Sequence, residues 1–319
     1  MNTNKKQKII FITGPTGSGK SELSLWLAKK LNAEIINADS KQVYKKLDVG
    51  SGKISKLEQK QINHHLLSIA SPKINFSLGR WLKLVAVSIK EILKKEKIII
   101  FCGGTNLYLK AFKEGWILPE IKPDYKFRKK LEKRTVEKLF EILIKVDPER
   151  AKTIESKNKR RLIRAIEITK AIGKVPKLKK EPLYEFLIIA IDVNWKVLEL
   201  KIEKRFLERL TGIIKEIKKL RKSGLSFKRI MSFGLSYYWL GAYIEEKNET
   251  HRFHSKRFSS QQVYKKSFSI SLNEAKEKAC KSEINFAKRQ TRELKKLPYI
   301  EWVKSKNQAL DICKKFLQK

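Results

Sequence analysis

The stretch GPTGSGKS, Gly14 to Ser21, constrains this chain more than any other. It matches the pattern G-x-x-x-x-G-K-[ST] at every fixed position. It stands between an apolar run, Ile9-Ile10-Phe11-Ile12, and a segment of helical pattern. A strand that turns through glycines into a helix is the setting in which such a loop cradles phosphate. Backbone N–H groups converge on the oxygens there, and the helix dipole adds favourable charge. Gly14, Pro15, Thr16, Gly17, Ser18, Gly19, Lys20 and Ser21 are therefore the expected phosphate loop, with Lys20 as neutralising cation and the Ser21 hydroxyl as the candidate Mg²⁺ ligand. ATP or another nucleotide is the usual ligand, but the pattern does not say which molecule carries the phosphate.

Three apolar runs read as buried parallel strands: Ile9 to Thr13, Glu34 to Ala38 and Ile98 to Phe101. Each leads into a polar or glycine-rich turn and then a candidate helix, the order of successive β-α units. Ser21 to Leu31 carries Leu23, Leu27 and Leu31 at helical spacing. From about Pro119 to Leu183 the chain is highly charged and helical in pattern, with prolines as breakers. Phe186 to Val193 returns to strand character, and long helices follow, one from Trp195 to Lys222 and one opening at Ser271, which with Glu274 forms a capping-box signature. The expected fold is α/β, a P-loop NTPase-like parallel sheet core (1–118 and 184–319) with an inserted helical domain (119–183) and a helical C-terminal portion.

Composition bears on partners. The 319 residues carry 73 Lys and Arg against 33 Asp and Glu, a net charge of +40, and 58 of the basic residues are Lys. Such a charge attracts a polyanion such as nucleic acid. Lysines spread along the whole chain equally fit a codon bias that decorates the surface, so charge alone leaves both readings open. The cysteines Cys102, Cys280 and Cys313 are far apart and odd in number, so no disulfide framework follows and a cytoplasmic location is expected. His64, His65, His251 and His254 lack partners at zinc-ligand spacing. No apolar run approaches the roughly 18 residues of a membrane span, and the first residues lack a signal-peptide pattern. No membrane partner is expected.

Two further stretches bring chemistry to the loop. In NADSKQVY, Asn37 to Tyr44, Asp39 ends the second strand on the sheet edge where ligands bind. Its carboxylate could accept a proton from a nucleophile, cap a helix or contact Mg²⁺. In GGTNLY, Gly103 to Tyr108, paired glycines permit close backbone approach, and Thr105 could cap the next helix while offering its hydroxyl to the same edge.

Together these blocks resemble the tRNA dimethylallyltransferase (IPP transferase) family. The matches run in order: GPTGSGKS, ADSKQVYKKLDVGSGK from Ala38, NHHLLSI from Asn63, GGTNLYLKAFKEG from Gly103, VDPERAKTI from Val146, RRLIRAIEI from Arg160 and AKRQ from Ala287. The resemblance implies that the loop holds dimethylallyl diphosphate and that the acceptor is N6 of the adenine 3′ to the tRNA anticodon. It implies Asp39 as general base, with Thr105 positioning Asp39 and the acceptor base. Lys20 and Arg205 would bind the diphosphate, and Ser21 would bind Mg²⁺. For the anticodon stem-loop it implicates Asp39, Ser40, Lys41, Gln42 and Thr105, then Arg128 and Arg160, Arg161, Leu162, Ile163 and Arg164, in a monomer. Without the resemblance, Arg160 to Arg164 would read as solvated helix charges.

Departures from the family pattern are few. Ser21 stands for the usual Thr, DVGSGK (Asp48 to Lys53) retains a hydroxyl at Ser51, and Arg160 replaces a common Gln. The block Gly234-Leu235-Ser236-Tyr237 differs most, where the family has Gly-Tyr-Arg-Gln. The alternatives are a small-molecule kinase, a prenyltransferase of free adenylate, and an inert RNA-binding protein with a relict loop.

Overall fold

The computed structural model describes residues 6–255 and 270–319. By backbone contacts the chain divides into two compact units, Met1–Lys113 with Leu183–Lys319, and Glu114–Pro182.

The larger unit is built on strands β1 (Gln7–Thr13), β2 (Ala33–Asn37), β3 (His64–His65) and β4 (Ile98–Cys102), separated by α1 (Lys20–Lys30), α2 (Lys56–Gln61) and α3 (Leu78–Leu93), with α4 (Asn106–Lys113) after β4. The smaller unit holds β5 (Trp116–Ile117), α5 (Tyr125–Glu132), α6 (Val136–Val146), α7 (Pro148–Thr153), α8 (Lys159–Ile172) and β6 (Lys179–Lys180). The chain then returns through β7 (Tyr184–Ile191), α9 (Trp195–Lys222), α10 (Phe227–Met231), α11 (Leu235–Ser255), α12 (Leu272–Lys295), β8 (Ile300–Val303) and α13 (Lys306–Gln318).

The sheet has six strands in the order β3-β2-β4-β1-β7-β8, and every pair is parallel. A parallel strand covered on both faces reads as a continuous apolar run, as β1, β2, β4 and β7 do. Alternate side chains go to opposite layers. Ile9, Phe11, Ile36, Phe101 and Ile188 join a core with α3 and α9 to α12, whereas Ile10, Ile12, Ile35, Ile100 and Ile189 pack with α1 and α13. Glu34 is the buried charge of β2. Burial opposes its ionisation, yet hydrogen bonds from His65, Asn63, Lys95 and Lys97 hold its carboxyl down at about 2. It thereby ties β2 to β3 and to the turn before β4.

To the six-stranded sheet the structure adds two strands absent from the sequence reading, β3 and β8. The first has two residues and the second four, too short for a period-2 pattern to stand out. Residues 114–118, expected in the core, belong instead to the smaller unit, because Trp116 and Ile117 pair antiparallel with Lys180 and Lys179. Within that unit Leu131, Leu139, Leu143, Leu162 and Ile166 form its own apolar core. Asp124, Thr135, Asp147 and Asn158 cap its four helices with side-chain oxygens. The Ser271 side chain does accept the Glu274 N–H at the start of α12. The expectation for His251 and His254 lies outside the described side chains.

Candidate active site

The loops that follow β1, β2 and β4 share the carboxyl edge of the sheet, where parallel strands present ligands. After β1 the phosphate loop turns into α1. Gly19 opens that helix in the left-handed region, φ 89°, where a side chain would be strained. Lys20 begins the helix, and its ammonium donates to the Pro15 carbonyl at 3.3 Å. Burial lowers its pKa, the nearby Cys102 and Asp39 push it back up, and Arg205 lowers it further. Lys20 therefore senses both Asp39 and Arg205.

After β2, Asp39 closes its own turn. Its Oδ1 accepts the backbone N–H of Lys41 at 2.8 Å and of Gln42 at 3.3 Å. Asn37 braces the turn from below by accepting the Asp39 N–H and donating to the Asp39 carbonyl. The Trp81 indole donates to the Asn37 carbonyl at 3.0 Å. Thr105, after β4, accepts the Ser40 N–H on its hydroxyl at 3.0 Å. The hydroxyl expected to cap α4 is thus an acceptor for the Asp39 turn, and Thr105 joins α4 through its backbone carbonyl.

The paired glycines explain how closely these loops approach. A Cβ on Gly103 would fall 2.2 Å from the Ala38 carbonyl carbon. One on Gly104 would fall 2.4 Å from Gln290 Nε2 and 3.2 Å from the Gly14 carbonyl oxygen. One glycine makes room for the Asp39 loop and the other for the phosphate loop. Any larger residue would separate the two.

From α9, Arg205 and Arg209 face the loop at Asp48 to Lys53. The Arg209 guanidinium donates to the Val49 carbonyl and to Glu283, each at 3.0 Å. Arg205 Nη2 lies so near Gly52 that a Cβ there would be 2.0 Å away. Its guanidinium is half-buried and makes no hydrogen bond or ion pair among the described residues. Burial and the charge of Arg209 lower its pKa, with Glu283 opposing. A desolvated guanidinium without a counter-ion, within range of the phosphate-loop lysine, favours an anion.

The loop beside Arg205 rests on Glu216, a buried carboxylate absent from the sequence expectations. Glu216 accepts the N–H groups of Asp48, Val49 and Gly50 at 2.7, 2.8 and 3.1 Å, and the Tyr237 hydroxyl at 2.6 Å. The signal was there to find, a glutamate within the apolar stripe Ile213, Ile217, Leu220. The departing block also has a clear place. Tyr237 serves Glu216, burial and that carboxylate drive its pKa well up, and the Ser236 hydroxyl donates to Glu283.

In the smaller unit the arginines separate. Glu167 accepts from Arg128 through Nε and Nη2, at 2.8 and 2.6 Å, and pairs with Arg164. Arg164 also donates to the Ile121 carbonyl at 3.0 Å. These two guanidiniums brace the unit from within. Leu162 and Ile163 are buried in its core, so their side chains are not available to RNA. Of the contact expected at these two positions, the backbone alone is left to make it. Arg160 and Arg161 are exposed, Arg161 pairing with Glu155 at 3.2 Å.

Comparison with known proteins decides the family. The IPP transferase profile matches residues 42–296. The chain belongs to the IPP transferase family. It is 34% identical over 278 residues to a tRNA dimethylallyltransferase of Bacillus cytotoxicus, covering 82% of this chain and 88% of that one. With the tRNA dimethylallyltransferase of Pelotomaculum thermopropionicum it shares 31% identity over 315 residues, 96% of this chain and 93% of the other. The crystal structure of the full-length tRNA isopentenylpyrophosphate transferase from Bacillus halodurans superposes with a TM-score of 0.67 at 28% identity, covering 98% of this chain and 96% of that one. As an IPP transferase the chain is an enzyme of the prenyltransferase class. Among its described residues no helix is long and apolar enough to cross a membrane.

Proposed function

We propose that this chain transfers a dimethylallyl group from dimethylallyl diphosphate to N6 of the adenine 3′-adjacent to the anticodon of tRNA, releasing diphosphate. One observation carries the reading. The phosphate loop with Lys20 and the turn of Asp39 share one sheet edge, and the guanidinium of Arg205 lies within electrostatic range of Lys20, in a chain whose relatives are named for tRNA dimethylallyl transfer. In this reading the diphosphate occupies Gly14 to Ser21, between Lys20 and Arg205. The N6–carbon bond forms as the carbon–oxygen bond to diphosphate breaks, and Asp39 takes the N6 proton. Its Oδ1 holds the turn, which aims Oδ2 with little freedom. Charge on the departing diphosphate is met by cations already in place, and such preorganised charge contributes most where water is excluded.

No cluster of three or more His, Cys, Asp or Glu side chains suited to a metal occurs among the described residues. Mg²⁺ commonly keeps several waters and takes phosphate oxygens, so a site whose protein donor is the Ser21 hydroxyl fits it. When bound it would neutralise the leaving diphosphate. For the RNA, the reading assigns Ser40, Lys41 and Gln42 beside Asp39, and the exposed Arg160 and Arg161 as phosphate contacts.

The test supplies tRNA, Mg²⁺ and either labelled dimethylallyl diphosphate or labelled ATP. Prenyl label on the tRNA adenine is the expected result. Phosphoryl label moving from ATP to a small molecule, or prenyl label moving to free AMP, would overturn it.

A further inference from the structure

Gln290, on α12, is 4% exposed and touches both ligand loops at once. Its Oε1 accepts the Thr16 N–H of the phosphate loop at 2.9 Å. Its Nε2 donates to the Gly104 carbonyl at 2.7 Å. The Gln290 carbonyl in turn accepts from Asn106 Nδ2 at 3.5 Å. Only one orientation of the amide satisfies Thr16 and Gly104 together, so the two bonds fix each other. A carboxamide is the side chain that offers a donor and an acceptor on one rigid plane without charge. A charged group there would disturb the field in which the diphosphate sits.

The consequences run outward on both sides. On one, the Thr16 donor is spent on the protein, which sets the course of the backbone that cradles the diphosphate. On the other, Gly104 precedes Thr105, whose hydroxyl accepts the Ser40 N–H next to Asp39. Hydrogen bonds at Thr16, Gly104 and Ser40, linked by the short chain steps Gly104–Thr105 and Ser40–Asp39, thus join the cradle to the Asp39 turn through one buried amide. Gly104 lacks a side chain where this amide lies, and the Gly14 carbonyl closes the same gap.

We infer that Gln290 is a positioning residue that sets the spacing between the diphosphate cradle and the Asp39 turn. This rests on the proposed prenyl transfer. The spacing matters because the donor carbon and the N6 nitrogen must meet within about 3–3.5 Å, and a 1 Å misplacement costs on the order of 100-fold.

The experiment compares wild type, Gln290→Met, Gly104→Ala and the double variant. The readouts are thermal unfolding and steady-state kinetics with tRNA and dimethylallyl diphosphate both saturating. Gln290→Met keeps the volume and removes both hydrogen bonds. It is expected to lower kcat roughly 10- to 100-fold, with each KM within about three-fold and the melting temperature within a few degrees. Gly104→Ala pushes on the same contact from the other partner, so the double variant should be no more than about three-fold worse than the poorer single one. Independent sites would multiply their losses. Wild-type protein that moves no prenyl label overturns the reading beneath the inference. Active wild type beside a Gln290→Met enzyme that turns over within two-fold of it overturns the inference alone. So does a loss that tracks a fall in melting temperature, or losses that multiply in the double variant.

Discussion

Asp39 uses one carboxylate oxygen to hold its own turn, which leaves the other for the proposed proton transfer. Asp39→Ala should lower kcat by about 10²- to 10⁴-fold, while tRNA affinity measured by filter binding stays within a few-fold. Lost tRNA binding with normal turnover at saturation would place Asp39 in recognition instead. Single residues were legible in the sequence where a motif fixes them, as with Gly14 to Ser21, Asp39 and Thr105. Gln290 was visible only as part of AKRQ, because its partners lie 274 and 186 positions away and no local pattern encodes such a pair. The resemblance assigned Arg128 and Arg164 to the tRNA, and nothing local in the sequence pointed to the carboxylate they share. Their buried partner Glu167 sits in a helix whose other buried positions are Leu, Ile, Ala and Thr, and a lone acid in such a stripe hides in the periodicity.

At the level of elements, the long apolar strands β1, β2, β4 and β7 were readable because full burial on both faces leaves no alternation to misread. The short strands were not, since β8 shows two buried residues, one exposed and one half-buried over only four positions. What α9 does was hidden in part, since Arg205 was named only through the family resemblance and Glu216 not at all. It delivers Arg205 to the edge and Glu216 beneath the loop from Asp48, so that one helix both charges the site and fixes the loop that borders it. Glu216→Ala would leave three backbone N–H groups and the buried Tyr237 hydroxyl without their shared acceptor. Its melting temperature should drop by roughly 5–10 °C, with Glu216→Gln recovering part of the loss. An alanine variant that melts with wild type would mean that water replaces the carboxylate at no cost.

For the whole molecule, the charge of +40 left two readings open in the sequence. The structure narrows them at particular arginines, since Arg128, Arg164 and Arg209 are engaged by carboxylates while Arg160 stays exposed. If tRNA is held by phosphate contacts, its affinity must fall linearly on a logarithmic salt scale, with a slope of about one unit per phosphate neutralised. Arg160→Ala should then weaken binding and flatten that slope by about one, without changing thermal stability. A salt-independent affinity would return the lysine excess to composition alone.

Lys20 and Arg205, with Arg209 beside them on Glu283, form a cluster of like charge with a thermodynamic consequence. Before substrate arrives, Arg205 meets the like charges of Lys20 and Arg209, and Asp39 and Glu283 offset that repulsion only in part. Any compact polyanion that enters should act as a mortar. Inorganic pyrophosphate at a hundred times its dissociation constant stabilises a fold by about 2.7 kcal/mol. Differential scanning calorimetry should show this as a melting point several degrees higher for wild type and, at the same pyrophosphate concentration, as a smaller rise for Arg205→Ala, which binds the anion more weakly. An equal rise in both proteins would mean that Arg205 takes no part in holding the anion.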